Sequence, residues 1–336
     1  MFKAKLMSGK KNLLVFAIGA LLLTFGTTQE TQAQDPEFTQ FYANPLYLNP
    51  AFAGSARCPR VALNYRNQWP ALSGSFITTS ASYDQHVDAI SGGLGVQVLH
   101  DNAGQGTLTT TQVSGIYSYQ QAITRTFSLK AGFQATYFQK ALDWSKLTFG
   151  DQIDPRRGFI YESQDFVRGG TVSNVDFSFG LLGFSDKYFV GASVHHLTEP
   201  NESLIEGNSP LPMKFTGHAG AKIPIDRGQR FSDASISPNV MIRHQGEFTQ
   251  LNFGLYVKKG PIVGGAWYRS DENFTGDSFI ILAGIETDII RFGYSYDVTV
   301  SQLTPASGGS HEISLTFQFD CRPKRRKLRT ISCPSF

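Results

Sequence analysis

The side chains that could perform chemistry are not spaced as a catalytic or metal site would require. Histidine lies beside a second reactive group at His100-Asp101 and at His195-His196, and serine is frequent, so the residue types of a serine lipase are present. No nucleophile motif accompanies them, and adjacent residues of a strand point to opposite faces. The same geometry argues against a metal site made by the two neighbouring histidines. The sequence therefore predicts neither an enzyme nor a bound cofactor.

Two loop acids, Asp151 and Asp154, have the ligand chemistry of a calcium site. Aspartate in a loop more often caps a turn by accepting hydrogen bonds from backbone N–H groups. We expect turn capping here, with a calcium site as the alternative.

The distribution of charge divides the chain into three parts. Residues 1–33 combine a basic start, an apolar stretch at 13–25 and a final Ala33, which is the pattern of a secretory signal peptide. Removing its four lysines and Glu30 takes the net charge from +3 to about zero. Residues 322–336 carry six cations and no acid, so the body between carries about −6. The cations of this C-terminal tail are Arg322, Lys324, Arg325, Arg326, Lys327 and Arg329.

Composition and patterning leave two classes of protein. The chain has 33 Gly, 27 Phe and 13 Tyr but only 17% charged residues, which argues against a disordered chain. After residue 25 no apolar run approaches the roughly 20 residues that a membrane-spanning helix needs. From Arg60 onward, apolar and polar residues alternate in segments of about ten, as at residues 127–137. This pattern fits either an all-β soluble domain or a transmembrane antiparallel β-barrel.

The alternating segments predict about 14 strands, with a range of about 12–16. They are placed near residues 60–69, 74–84, 92–101, 107–120, 125–138, 174–184, 187–197, 213–224, 234–244, 248–258, 261–269, 277–286, 289–300 and 311–321. Most of the long connections fall on one side, as expected for outer loops opposite short periplasmic turns.

The barrel is favoured over a soluble β-sandwich. A sandwich also alternates, because it buries one face of each strand. However, no linker divides the mature chain, and the face opposite the apolar one is rich in Gly, Ser, Thr and Gln rather than Lys and Glu. A sheet face in water normally carries more charge. The fold class is therefore predicted as all-β, with the barrel over residues 60–321.

Residues 34–59 do not alternate and precede the first predicted strand. We interpret them as an ordered arm that folds into or beneath the barrel as a plug. An unstructured N-terminal tail is the alternative. The residues that characterise the arm are Phe38, Phe41, Tyr42, Tyr47, Asn49, Pro50 and Phe52.

Several short patches resemble one known family. Residues 34–42 (QDPEFTQFY), 44–45 and 48–54 (LNPAFAG) at the start, residues 65–70 (YRNQWP) and residues 147–153 (LTFGDQI) resemble the PorP/SprF family of type IX secretion system membrane proteins. The resemblance covers the arm, the first strand and the long loop after the fifth strand. The strands between these patches would fit many barrel families.

The resemblance implies a non-enzymatic outer-membrane β-barrel of Bacteroidetes-type bacteria. Such a protein would act with the type IX machinery in the export or surface attachment of cargo proteins, including gliding adhesins in some members. Its partners would be secretion components, cargo and outer-membrane lipids. The resemblance does not distinguish a core component from a cargo-specific one. Export and the acidic body argue against nucleic acid as a partner.

A passive outer-membrane porin for small solutes is the alternative function. A barrel of this size is wide enough to hold a lumen. The aromatic arm and the long loop at 139–173 could both fill that lumen, so we favour a closed scaffold. The basic tail would lie in the periplasm and bind an acidic partner surface or lipid phosphates. The alternative is that the tail is a solvated basic run that only fixes the topology and has no binding role.

Three cysteines, Cys58, Cys321 and Cys333, lie near the two ends of the mature chain. An exported chain meets an oxidising compartment, where a disulfide can persist. A Cys58–Cys321 bridge would join the first and last strands, and a Cys321–Cys333 bridge would loop the tail. Free thiols are the third option, and the sequence leaves all three open.

Overall fold

A computed structural model describes residues 35–72, 74–163, 170–205, 207–225, 234–300 and 308–320, which fold almost entirely as β-strands. The predicted signal peptide and the basic tail lie outside these described residues. So do Cys321 and Cys333. No helix in the described part of the chain is long and apolar enough to cross a membrane.

Seventeen strands follow one another along the described residues. They are β1 (Arg60–Gln68), β2 (Phe76–Val87), β3 (Gly92–Ala103), β4 (Leu108–Ala122), β5 (Ser128–Leu142), β6 (Ile153–Asp154), β7 (Gly158–Phe159), β8 (Thr171–Phe184), β9 (Tyr188–His195), β10 (Lys214–Ala221), β11 (Ile223–Pro224), β12 (Ala234–Gln245), β13 (Phe248–Lys259), β14 (Ile262–Asp271), β15 (Gly276–Glu286), β16 (Ile290–Thr299) and β17 (Ser310–Gln318). Three of these are two-residue strands: β6 and β7 pair with each other, and β11 pairs beside β12.

The remaining strands form one closed antiparallel barrel. Each pairs with its neighbours along the chain, and β1 closes the ring by pairing with β17, with Arg60 opposite Gln318 and Gln68 opposite Ser310. On the other side of the ring β10 pairs with β12. The predicted barrel of 14 strands is therefore confirmed.

The exposed face of the strands is the apolar one. In β5, Leu129, Phe133 and Tyr137 are exposed, whereas Lys130 and Gln134 between them are buried. A soluble sheet places its apolar face inside, so this arrangement is reversed. An apolar outer face and a polar interior are the pattern of an outer-membrane barrel. This reversal favours the transmembrane β-barrel over the all-β soluble domain, the two classes with which the sequence was compatible.

The two ends of the barrel differ in their connections. At one end, which we call the loop end, the connections are residues 69–75, 104–107, 143–170, 196–213, 246–247, 272–275 and 300–309. At the other, the turn end, they are residues 88–91, 123–127, 185–187, 222–233, 260–261 and 287–289. In outer-membrane barrels the longer loops face the cell exterior and the short turns face the periplasm. We expect the loop end of this barrel to face the exterior.

A charge placed on the lipid-facing side of the barrel tests this orientation of the faces. Phe133→Arg is expected to lower the free energy of unfolding in lipid vesicles by about 2–4 kcal/mol, because an arginine near the bilayer midplane is poorly solvated. Phe159→Arg is the matched control, since Phe159 is exposed in the loop that joins β5 to β8. Equal stability of the two variants in a denaturant titration would contradict a lipid-facing position for Phe133.

Candidate functional site

The segment before β1 occupies the lumen and runs from the loop end to the turn end. It contains one short helix, α1 (Pro45–Leu48), and a 3₁₀ turn at Pro50–Phe52. At its start, Asp35 contacts Lys214, the first residue of β10 at the loop end. At its far end, the N–H of Gly54 donates to Asp84 in the turn-end half of β2. We call residues 35–59 the arm.

The aromatic residues that characterise the arm are packed against the barrel wall. The Phe41 ring meets Trp267 edge-on at 4.9 Å between centroids. The Phe52 ring stacks on His218 at 5.5 Å, and Tyr42 contacts Phe189 at 5.5 Å. Phe38, Phe41, Tyr42, Asn49, Pro50 and Phe52 are buried, and Tyr47 is half-buried. Burial of this apolar surface stabilises the arm inside the lumen.

Asp35 anchors the arm at the loop end. Its carboxylate accepts hydrogen bonds from Lys214 Nζ and, at 2.7 Å, from His196 Nε2. The other ring nitrogen of His196, Nδ1, lies 2.8 Å from Asp176 Oδ2. Burial lowers the pKa of His196, but the carboxylates of Asp35 and Asp176 outweigh burial and raise that pKa to about 9. The imidazolium is therefore charged at neutral pH and bridges the arm to β8.

Glu37 forms the second anchor. Its carboxylate lies 2.9 Å from Arg243 Nη1 and 3.4 Å from Arg269 Nη1. Gln250 Nε2 donates to the same carboxylate at 3.2 Å. The arm thus supplies a carboxylate to two wall arginines. Arg269 is also paired with Asp277 at 2.7 Å and with Asp297 at 2.8 Å.

Glu312 of β17 forms the third anchor, and here the wall supplies the acid. Its carboxylate accepts the N–H of Thr39 at 2.6 Å, the Thr39 hydroxyl at 2.8 Å and the N–H of Gln40 at 3.1 Å. Arg66 Nη1 lies 3.4 Å from the same carboxylate. Gln40 in turn donates to the backbone carbonyl of Glu312 and accepts from Ser314. One buried carboxylate therefore satisfies two backbone donors of the arm.

Asn49 fixes the middle of the arm. Its Oδ1 accepts the N–H of Ala51 at 2.9 Å and so caps the 3₁₀ turn. Its Nδ2 donates to the carbonyls of Leu181 at 3.0 Å and Ala192 at 3.1 Å. The Asn-Pro pair at 49–50 therefore has both a local and a tertiary role.

The turn end of the arm is held through its backbone. The carbonyl of Ala53 accepts from Ser118 Oγ at 2.7 Å and from Lys130 Nζ at 2.6 Å. Asp84, which accepts from Gly54, is also paired with Arg60 Nε at 2.8 Å. The exit of the arm is thereby joined to β1 itself.

Two glycines of the wall permit close approach of the arm backbone. A Cβ on Gly132 would lie 2.3 Å from the Ala51 nitrogen, and one on Gly93 would lie 2.1 Å from the Ala53 carbonyl oxygen. Any other residue at these positions would overlap the arm. Contact with the arm therefore explains why glycine stands at these two positions.

Gly132→Ala is expected to destabilise seating of the arm by about 1–3 kcal/mol through overpacking. Gly115→Ala provides the control, because a Cβ on Gly115 meets nothing within 4 Å. Limited proteolysis of the arm in the purified barrel measures the effect. If both variants protect the arm as well as the wild type does, the close approach at Gly132 is wrong.

The two adjacent histidines correct one expectation from the sequence. They were expected on opposite faces, which was the argument against a joint site. His196 instead follows β9 in a left-handed conformation with φ of 61°, and both rings are buried, His195 beside Ser178 and His196 beside Asp176. Within the described ranges, no group of three potential metal ligands is present.

The loop acids form turn contacts. Asp154 Oδ1 accepts the N–H groups of Arg156 and Arg157 at 2.8 and 2.9 Å, and Asp151 accepts from Ser163 Oγ. These backbone hydrogen bonds lower the pKa of Asp154. Turn capping, the expected role, is therefore observed for Asp154.

Cys58 is disulfide-bonded. Because Cys321 and Cys333 lie outside the described residues, a bridge from Cys58 to Cys321 stays a prediction. The tail cations also lie outside the described residues, and their roles stay predictions as well.

The charged anchors of the arm were not predicted from the sequence. Asp35 and Glu37 were read only as part of a family patch, and Glu312 only as a polar residue in an alternating strand. One signal was available for Glu312 and Arg66, because alternation places both charged side chains on the inward faces of their strands. A charge at such a position needs a partner inside the barrel.

Comparison with known proteins adds the family. The family model described as type IX secretion system membrane protein PorP/SprF matches residues 30–317. The chain belongs to this family. The match covers the arm and all the barrel strands except the last residue of β17. No curated protein matches the chain.

Solved structures similar to this PorP/SprF protein are outer-membrane barrels. The Ralstonia pickettii toluene transporter TbuX has a TM-score of 0.50 at 10% identity, over 82% of this chain and 93% of that chain. The Pseudomonas putida toluene transporter TodX has a TM-score of 0.47 at 10% identity, over 85% and 98%. The Acinetobacter baumannii protein Omp33 has a TM-score of 0.43 at 10% identity, over 79% and 100%. At 10% identity, the similarity to TbuX shows the fold alone.

Membership of the PorP/SprF family and the barrel fold together make this chain an outer-membrane component of type IX secretion. The expected fold class and family are thus confirmed.

Proposed function

We propose that the barrel is a plugged, non-enzymatic scaffold of the type IX secretion system that holds a partner protein during export or surface attachment of cargo. The observation that carries this proposal is the arm, which spans the lumen and is fixed through three carboxylates: Asp35 and Glu37 of the arm, and the buried Glu312 of the wall. A diffusion porin needs an unobstructed lumen. An anchored arm instead leaves the loops, the mouth of the lumen and the periplasmic rim as binding surfaces.

The passive porin is the second candidate function. The wall side chains of a 14-stranded barrel are not enough to fill its interior. Without the arm, the lumen would therefore be open and would conduct solutes. The packing of the arm against Trp267, His218 and Phe189 supports the plugged scaffold over the porin.

The basic tail supplies a proposed contact on the periplasmic side. β17 ends at the turn end with Gln318, so residues 322–336 follow from that end. Six cations within residues 322–329 would attract an acidic surface of a secretion component, and the attraction would weaken as salt rises.

Deletion of residues 322–336 tests the tail contact. We expect the barrel to fold, and we expect recovery of periplasmic secretion components in affinity purification from native membranes to fall several-fold, because six charge-assisted contacts are removed. A variant with the six cations replaced by glutamine separates charge from length. Unchanged recovery from both variants would contradict a binding role for the tail.

A further inference from the structure

One cavity at the loop end is not filled by the arm. It lies between the start of the arm and the loop-end halves of β12 to β15, and its volume is about 380 Å³. Asp35 and Glu37 line it from the arm, and Arg243, Ser270 and Asp271 line it from the wall. This volume is within the range of pockets that bind small ligands or single side chains.

Most charges around the cavity are already compensated. Lys214 is paired with Asp35 and Arg243 with Glu37. Asp277 is paired with Arg269 at 2.7 Å between Oδ2 and Nε. A new anion would therefore find no free cation among the described lining residues.

Asp271 is different, because its carboxylate makes no ion pair with any described residue. Its Oδ1 accepts the N–H of Asn273 at 2.9 Å and of Thr275 at 2.7 Å. These two hydrogen bonds fix the carboxylate at the wall of the cavity. A positioned and uncompensated negative charge favours a cation as the ligand.

Ser270 gives a second, independent indication of a ligand. It lines the cavity and is 1% exposed, yet its Oγ has no hydrogen-bond partner among the described residues. Buried hydroxyl groups in proteins normally have a partner. A ligand that donates hydrogen bonds would satisfy this hydroxyl together with the Asp271 carboxylate.

An aromatic ring stands at the rim. Phe248 lines the cavity and is 54% exposed. Along β13 it shares its face with Gln250 and Asn252, of which Asn252 is buried in the lumen. The ring therefore belongs to the lumen side and not to the lipid side. An exposed aromatic face attracts an ammonium or guanidinium group.

We propose that this cavity binds one basic side chain, arginine or lysine, presented by a segment of a partner protein at the loop end. This assignment rests on the proposed scaffold function. It requires the partner to present an arginine or a lysine at the loop end. The stem of the side chain would lie along Phe248, while its charged end would pair with Asp271 and donate to Ser270 Oγ. The cavity is larger than a simple inorganic cation requires, which favours a side chain with its stem.

A capped pentapeptide, acetyl-Gly-Gly-Arg-Gly-Gly-amide, tests the assignment on the purified full-length protein. Its matched control replaces arginine by citrulline, which has nearly the same shape without the charge. Calorimetry is expected to show at least about tenfold tighter binding of the arginine peptide. Equal binding of the two peptides would overturn the assignment.

Two variants locate the binding. Asp271→Asn keeps an oxygen for the N–H groups of Asn273 and Thr275 but removes the charge, so it should weaken binding of the arginine peptide by about tenfold. Ser270→Ala should weaken it by about threefold. Glu162→Gln, at an exposed loop residue, makes the same change in net charge and should have no effect. If Asp271→Asn behaves as Glu162→Gln does, the cavity is not the site.

The peptide assay is independent of the secretion machinery. If secretion components co-purify with the barrel but the peptide does not bind, only the cavity assignment is wrong. If the peptide binds but no secretion component co-purifies, the scaffold function is wrong, and only the preference of the cavity for a basic side chain still holds.

Discussion

Purified wild-type protein in planar lipid bilayers is expected to show little steady conductance, and deletion of residues 36–53 is expected to open large, stable channels. The reason is geometric, since the deleted residues cross the lumen from the contact of Thr39 with Glu312 to the contact of Ala53 with Lys130. A barrel of 14 strands without an internal segment retains a water-filled path. We expect the mean conductance to rise by at least about tenfold, as for a change from a filled to an aqueous lumen.

A second deletion controls for damage to the barrel. Removing residues 153–159, which form the β6–β7 hairpin in a loop-end connection, should leave conductance low. Circular dichroism establishes that both variants retain the β-structure of the barrel. Large stable channels in the wild-type protein would favour the porin and would contradict the plugged scaffold.

Glu312→Ala is expected to release the start of the arm. The substitution leaves the N–H groups of Thr39 and Gln40 without their acceptor and leaves Arg66 with Asp297 as its remaining ion-pair partner. Removing one member of a buried ion pair costs about 3–5 kcal/mol. Hydrogen exchange at the N–H groups of Thr39 and Gln40 should accelerate by at least about a hundredfold if that cost falls on docking of the arm.

Glu286→Ala is the matched control for this effect. Glu286 is also ion-paired, with Lys258 at 2.7 Å and Arg291 at 3.4 Å, but it lies at the turn end of β15 and anchors no part of the arm. Glu312→Gln, which keeps an acceptor oxygen, should show an intermediate effect. If exchange at Thr39 is the same in all three variants, Glu312 does not hold the arm.

The barrel could be predicted from the sequence because the alternation of apolar and polar residues is a local pattern. Alternation of Phe133 and Tyr137 with Gln134 and Lys130 can be read within one strand, and a membrane barrel repeats that pattern in every strand. The number of strands followed from the same pattern. Strand boundaries were less accurate, since β5 extends to Leu142 instead of ending near residue 138.

The anchors of the arm could not be predicted in the same way, because they join residues distant in the sequence. Asp35 meets His196 across 161 positions and Thr39 meets Glu312 across 273. Alternation places Glu312 on the inward face but does not name its partner. The aromatic content of the arm indicated burial, whereas its path through the lumen depends on the closed ring of strands.

The face of His196 was mispredicted for a local reason. Strict alternation holds only while the backbone is extended, and β9 ends at His195. The left-handed conformation of His196 turns its ring back into the lumen, where Asp35 and Asp176 bind it. Pairing with two carboxylates compensates the cost of that conformation in a residue other than glycine.

Affinity purification from the native outer membrane, followed by mass spectrometry, tests most directly whether the barrel is a scaffold for a partner protein. We predict that type IX secretion components or a secreted cargo protein are recovered in stoichiometric amounts with the wild-type chain. An unrelated outer-membrane barrel with the same affinity tag gives the background. Recovery of the chain with no protein enriched above that background would contradict the account.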